Sequence, residues 1–266
     1  MIVAERPHVA PPTGWAATLA VFEYYLVVYR RVWRGSVFGA FALPLLTMLG
    51  FGLGVGAYVE GGVAGVSYLD YIVPGLIAST ALQVAIGEST WPVWGNFEWN
   101  KYYSAQAATP LRVAEILNGQ LAFVLFRVLV SSAVFLLVAA AFGALHSPWT
   151  LAVPPLMLLI GLAVAGPVVA YTSMIPSDGY LSLLFRFAVI PMTLFAGVFF
   201  PVESLPGAVR WLAYVSPLWH GVDLSRAATL GVAPYWSIPG HLGYLALWTV
   251  AGWLLAWWRF DRRLMS

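Results

Sequence analysis

Cysteine is missing from all 266 residues, so disulfides, thiolate nucleophiles and Cys-ligated metals are excluded together. Lysine is nearly missing. The single one, Lys101, follows Asn100 and precedes Tyr102, so the G-x-x-x-x-G-K-[ST] loop that cradles nucleotide phosphates cannot be built, and no nucleotide hydrolysis is housed here. Four histidines, His8, His146, His220 and His241, lie scattered without H-x-x-x-H spacing, and nothing matches G-x-S-x-G. Metal hydrolysis and serine catalysis have no support, and each histidine reads as an interfacial polar group rather than a ligand. Charge is scarce too: Asp, Glu, Lys and Arg make up 9% of the chain, against roughly 25% in soluble domains.

What remains is apolar. The chain is 61% hydrophobic with a mean hydropathy of +0.82, which is the composition of a polytopic membrane protein. No soluble block exceeds about 40 residues, so one membrane domain is expected with no appended catalytic domain. Residues 1–13 read as a short disordered tail. Met1 to Pro12 holds Glu5, Arg6 and three prolines but no hydrophobic core with a small-residue cleavage site, so it is not a secretory signal.

A span needs about 20 apolar residues. Six segments qualify: 37–58, 70–91, 117–143, 150–174, 181–200 and 241–259. The basic residues then sort by side. Arg6, Arg30, Arg31 and Arg34 precede the first span, Lys101 and Arg112 lie between the second and third, Arg186 opens the fifth, and Arg259, Arg262 and Arg263 follow the sixth. Arg210 and Arg226 fall on the other side, and Arg127 lies within the third span. Basic residues collect in short cytoplasmic loops, so both termini and the 92–116 loop are predicted to be cytoplasmic, in a cell (inner or plasma) membrane.

Residues 14–35 are too short and too charged for another span. On a helix, Trp15, Leu19, Phe22, Leu26 and Trp33 share one face while Glu23, Arg30 and Arg34 share another, which predicts an amphipathic helix in the cytoplasmic interface. The alternative is a tilted, poorly inserted span that would move the N-terminus outside. After the second span, residues 96–108 are compatible with helix until Thr109-Pro110, where the residue before proline leaves the α region. Phe97, Trp99, Tyr102 and Tyr103 make this short helix unusually aromatic. It suits either a groove on a partner or the headgroup level of the bilayer.

Polar features inside the apolar segments are few. Pro44 and the glycines at 50, 52, 54 and 56 predict a loosely wound outer end to the first span. Glu88 and Arg127 are costly in lipid and must face protein or water. They form a pair, make separate polar contacts, or touch a transported solute, and the sequence leaves all three open. Pro201, Pro206 and Pro217 break the stretch from Gly197 to His220 around Glu203, and the freed backbone groups place it in the interface, in a cavity or in a re-entrant turn. Trp219, His220, Asp223 and Arg226 follow on what reads as a short outer helix. Trp211, Tyr214, Tyr235 and Trp236 crowd the same region, suited to sugar rings or lipid, or to an ordinary aromatic belt.

Three blocks together resemble the membrane subunit of a type-2 ABC exporter, the ABC-2 permease family, particularly its lipooligosaccharide or nodulation-factor export branch. They are Tyr71-Ile-Val-Pro-Gly-Leu-Ile-Ala-Ser-Thr80 with Glu88, Ala108-Thr-Pro-Leu-Arg-Val-Ala-Glu-Ile-Leu-Asn-Gly119, and Gly197-Val-Phe-Phe-Pro-Val-Glu-Ser-Leu-Pro206 leading to Ser216-Pro-Leu-Trp-His-Gly-Val-Asp-Leu-Ser-Arg226. One departure is the aromatic Glu98-Trp-Asn-Lys-Tyr-Tyr103 where the family commonly has a basic, glycine-containing run.

The resemblance implies an all-α fold of six transmembrane helices with an interface helix, a coupling helix and short outer re-entrant helices between spans five and six. It also implies a non-enzymatic permease paired with a second copy, and two separate P-loop ATPase subunits that hold ATP and Mg. Glu98, Trp99, Lys101, Tyr102, Tyr103, Glu23 and Arg30 would take the push of the ATPase. Glu88, Arg127, Glu203, Trp219, His220 and Arg226 would line or gate the path. A lipid-linked glycan or lipooligosaccharide is the expected solute and a hydrophobic drug or antibiotic the alternative; no nucleic-acid partner is expected. An ion-coupled transporter would need intramembrane carboxylates, of which only Glu88 comes close. A lipid-modifying enzyme would need a paired carboxylate or histidine constellation that the spans lack.

Overall fold

The computed structural model describes residues 13–59 and 61–265. The expected tail at residues 1–12 lies outside them. Every regular element among the described residues is helical. Helix α1 runs from Trp15–Thr47 and takes in both the expected interface helix and the start of the first span without interruption. Gly35 and Gly39 lie near the expected junction, and each glycine costs a helix about 1 kcal/mol relative to alanine, too little to break it. Beyond Met48 the winding widens into a π-helical stretch, Met48–Val55, that contains Gly50, Gly52 and Gly54, then tightens in a single turn at Gly56–Tyr58.

Ser67 caps α2, Tyr68–Ser89, by accepting from the Asp70 amide at 3.1 Å. At Thr90 the chain bends into α3, Trp91–Glu98. Lys101 adopts a left-handed φ of 51° and opens α4, Tyr102–Ala107. Thr109-Pro110 ends it as expected, but the single helix read over 96–108 is divided at residues 99–101, where Lys101 turns left-handed. In α5, Val113–Ala141, Glu115 caps the first turn by accepting from the Arg112 amide at 2.8 Å. Its other oxygen accepts from the Gly14 amide at 2.6 Å, which ties the start of α1 to the start of α5.

Helix α6, Val153–Thr172, precedes α7, Gly179–Leu184, and α8, Ile190–Phe195, which a π-helical turn, Phe185–Val189, joins into one rod. Two shorter helices, α9, Gly207–Val215, and α10, Pro217–Leu230, come before the final α11, Ile238–Met265.

Helix α2 is buried along most of its length, packed by α5, α6 and α10, while α1 lies along α5 and α6 along α11. Glycine permits the last contact: a Cβ on Gly166 would stand 2.7 Å from the Gly252 carbonyl carbon. The two rods meet backbone to backbone, the close approach that apolar solvent rewards through packing rather than through water release.

Two ends of the bundle can be told apart by their contacts. At one, Arg263 near the end of α11 donates to the Ser173 carbonyl just past α6 at 2.8 Å and pairs with Glu98 of α3. At the other, His146 Nε2 stands 2.8 Å from Asp70 at the start of α2, and the His146 amide donates to the Thr229 carbonyl at 3.0 Å. Among the described residues three helices are long and apolar enough to cross a bilayer, Tyr68–Glu98, Val113–Ala141 and Pro148–Thr172. Shorter apolar helices cover Pro44–Tyr58 and Gly179–Phe195.

Candidate functional site

Chemistry-bearing residues gather in three places. The first lies between α2 and α5, where Arg127 Nε donates to Glu88 Oε1 at 2.9 Å with both side chains about one-fifth exposed, 20% and 21%. Of the three arrangements left open by the sequence, the pair is the one that forms. The Arg127 guanidinium also sits 4.9 Å over the Tyr29 ring of α1, so its charge is shared between a carboxylate and an aromatic face. Gln120 donates to the Glu88 backbone carbonyl at 3.2 Å and accepts from the Tyr103 hydroxyl at 3.0 Å, linking this pair to α4.

The second place is the α3–α4 turn. Trp99 is 63% exposed, propped edge-on against Trp94 at 5.2 Å, and Lys101 reaches Glu98 at 3.4 Å. Tyr102 stacks on Tyr24 of α1 at 4.2 Å with 18° between the rings. Tyr103 departs from expectation. Read as part of a contact surface, it is fully buried against Phe97 and Phe260, because the six-residue helix turns its second tyrosine inward. Glu23 and Arg30 are exposed on α1. The apolar face expected of α1 is also largely outward: Trp15, Leu19 and Trp33 are exposed, while Ala17, Val21 and Tyr25 pack inward.

The third place is the broken stretch after α8. Gly197 has φ +76°, Pro201 is extended, and Glu203 is exposed on a single turn whose carbonyl accepts from Arg210. Arg226 on α10 donates to the Gly197 carbonyl at 2.9 Å and to the Tyr71 carbonyl at 3.4 Å, with its guanidinium 4.1 Å over the Tyr71 ring. Gly75 lets the stretch approach α2, since a Cβ there would meet Val198 Cα at 2.9 Å. Trp219 is buried against Tyr214 and Trp236 rather than presented at a surface.

His220 lies beside it in a polar chain that the sequence only half disclosed. Its Nε2–H donates to the Tyr214 carbonyl at 3.0 Å, so its Nδ1 accepts from His241 Nδ1 at 2.8 Å. His241 Nε2 in turn stands 3.0 Å from Asp223, whose carboxylate accepts from the Tyr235 amide at 2.7 Å. Burial pushes the His220 pKa down to about 4, which keeps the ring neutral at physiological pH.

Sequence reasoning missed Arg263, His241 and Tyr29. Arg263 carried one signal, its place in a basic cluster after the last apolar run. Nothing local marked the other two.

The first two places adjoin each other at one end of the helical bundle, and the third lies at the other. The family model described as ABC-2 type transporter matches residues 17–230. The chain is similar to Nodulation protein J of Rhizobium leguminosarum bv. viciae, 30% identical over 254 residues that cover 96% of this chain and 97% of that one. It is also similar to Nodulation protein J of Rhizobium meliloti, 29% identical with 96% of each chain covered. The inner membrane transport permease YadH of Escherichia coli is 24% identical, with 91% and 94% covered. The chain therefore belongs to the ABC-2 type transporter family, as a membrane permease subunit.

Proposed function

We propose that this permease is the transmembrane half of an ATP-driven exporter that moves an amphipathic solute, first of all a lipid-linked glycan or lipooligosaccharide, out of the cytoplasm. Two copies of a separate P-loop subunit hold ATP and Mg and hydrolyse it, and a second, identical permease completes the path. The bundle end that carries Lys101, Arg112 and Arg263 faces the cytoplasm with both termini, and six spans cross the inner membrane.

One observation carries this reading. The exposed Trp99 stands on a short turn wired directly to two long helices, to α1 through the Tyr24–Tyr102 stack and to α11 through Glu98 and Arg263. A partner seated on Trp99 and Lys101, and reaching the exposed Glu23 and Arg30 of α1, would push on both rods at once. At the opposite end Arg226 and the His220 chain hold the broken stretch around Glu203 as a gate. Beside the coupling turn, Glu88 and Arg127 border the path. A hydrophobic drug is the second candidate solute, favoured by an apolar cleft of about 610 Å³ between α6, α10 and α11.

Purification of the tagged chain from its native membrane tests the proposal. A P-loop ATPase should come with it, and vesicles holding both should accumulate a fluorescent glycolipid only with ATP. Full transport by the permease alone would refute it.

A further inference from the structure

A cleft of about 470 Å³ opens between α1, α2, α3 and α5 beside the coupling turn. Its volume is that of a small-molecule site. We propose that it receives the uncharged, hydroxyl-bearing head of the transported amphiphile, with Tyr29 and Trp91 against the ring faces and Asn96 with the Glu88–Arg127 pair on the hydroxyls. This rests on the exporter reading above and adds the place and the selectivity.

Three features select such a head. The lining joins aromatic surfaces to a few fixed polar groups, the combination that orients a ligand with both apolar faces and hydrogen-bonding edges. Its charges cancel: Glu88 and Arg127 are bonded to each other at 2.9 Å, so neither a phosphate nor an ammonium finds an unopposed partner, while a hydroxyl can donate to one and accept from the other. The polar parts are also held before any ligand arrives, Glu88 by Gln120 at 3.2 Å on its backbone carbonyl and Asn96 by the Tyr25 hydroxyl at 3.4 Å. Val28 and Val32 of α1 line the same cleft and are exposed beyond it, which gives an acyl tail a continuous apolar track out to lipid.

The test uses two photoreactive probes on the permease with its ATPase in lipid nanodiscs. Both have a dodecyl tail, one with a neutral disaccharide head and one with a phosphate head. In the native protein the disaccharide probe should label the 91–99 segment and the Tyr29 region, and the phosphate probe should not exceed background there. Trp91→Leu should cut that labelling about three- to tenfold, comparable with the weight of one aromatic contact. Glu88→Gln leaves Arg127 unopposed and should invert the preference, so that the phosphate probe labels best; a purely structural ion pair predicts no inversion. Label landing elsewhere, equal labelling by both heads, or an unchanged preference in Glu88→Gln would overturn the assignment. Transport of the disaccharide probe with label outside the cleft would sink the site alone. Label in the cleft without ATP-driven transport would sink the exporter reading and leave the site standing.

Discussion

Arg226 Nη2 lies 2.9 Å from the carbonyl oxygen of Gly197, so a guanidinium on α10 holds the residue at which the chain leaves α8. The same side chain covers the Tyr71 ring of α2. One cation thus joins the central helix, the broken outer stretch and the helix after it. Arg226→Met should leave the two carbonyls unpaired and destabilise the protein by about 1–3 kcal/mol. Arg226→Lys should recover part of this and no more, since an ammonium lacks the planar fork and the ring stacking. Thermal unfolding of the solubilised protein reads both, and equal melting of Lys and native forms would show that a point charge suffices.

Trp99 and Tyr102 should separate under the same change. Charge inserted at Trp99, as in Trp99→Glu, falls on an exposed side chain and should uncouple ATP hydrolysis from export while membrane insertion and melting stay native. Tyr102→Glu also breaks the stack on Tyr24 and should add a stability loss of about 0.5–1.5 kcal/mol. Normal transport by both variants would count against the α3–α4 turn as the point where force arrives.

Glu88 and Arg127 form a pair with little exposure, so each single replacement leaves a largely buried charge without its partner. Glu88→Gln and Arg127→Gln should each lower stability more than the double replacement does, with a coupling of about 1–3 kcal/mol in the cycle. Additive losses would mean that the two residues stand independently.

His220 predicts a pH dependence of one sign. Its folded pKa is about 4, driven first by burial, whereas an exposed histidine titrates near 6.5. The unfolded chain therefore binds a proton that the folded chain refuses between these values, and stability should fall as pH drops from about 6.5 to about 4, then level off. His220→Gln should flatten that part of a melting-temperature profile. A slope unchanged by the substitution would assign it to another group.

Much of this was legible because lipid imposes a simple rule. Runs such as 117–143 and 150–174 have to be helical and long, and the structure places helices there. The glycines at 50, 52 and 54 announced loose winding, and π-helix is the form it takes. Other features were hidden for definite reasons. Arg30, Arg31 and Arg34 mark where the chain meets headgroups, yet charge does not stop a helix, so α1 continues through them. Whether Glu88 meets Arg127 depends on how two helices rotate about their axes and how far a guanidinium reaches, and neither is written in spacing. Tyr102 and Tyr103 are neighbours of one chemical type; only packing decides that the first faces α1 and the second the core. Arg263 and Glu98 lie 165 residues apart, and His220 and His241 on different helices, so no window along the chain contains either pair.

An unbroken α1 has a mechanical meaning. At 1.5 Å per residue, its 33 residues form a rod about 50 Å long. It is held at two places, where Ala17, Val21, Tyr25 and Tyr29 pack toward α5 and where Leu45 meets the main core beside Met48. A displacement at the Tyr24–Tyr102 stack should therefore travel along it as a rigid shift, and the wide-wound glycine segment after Thr47 is where the backbone can yield.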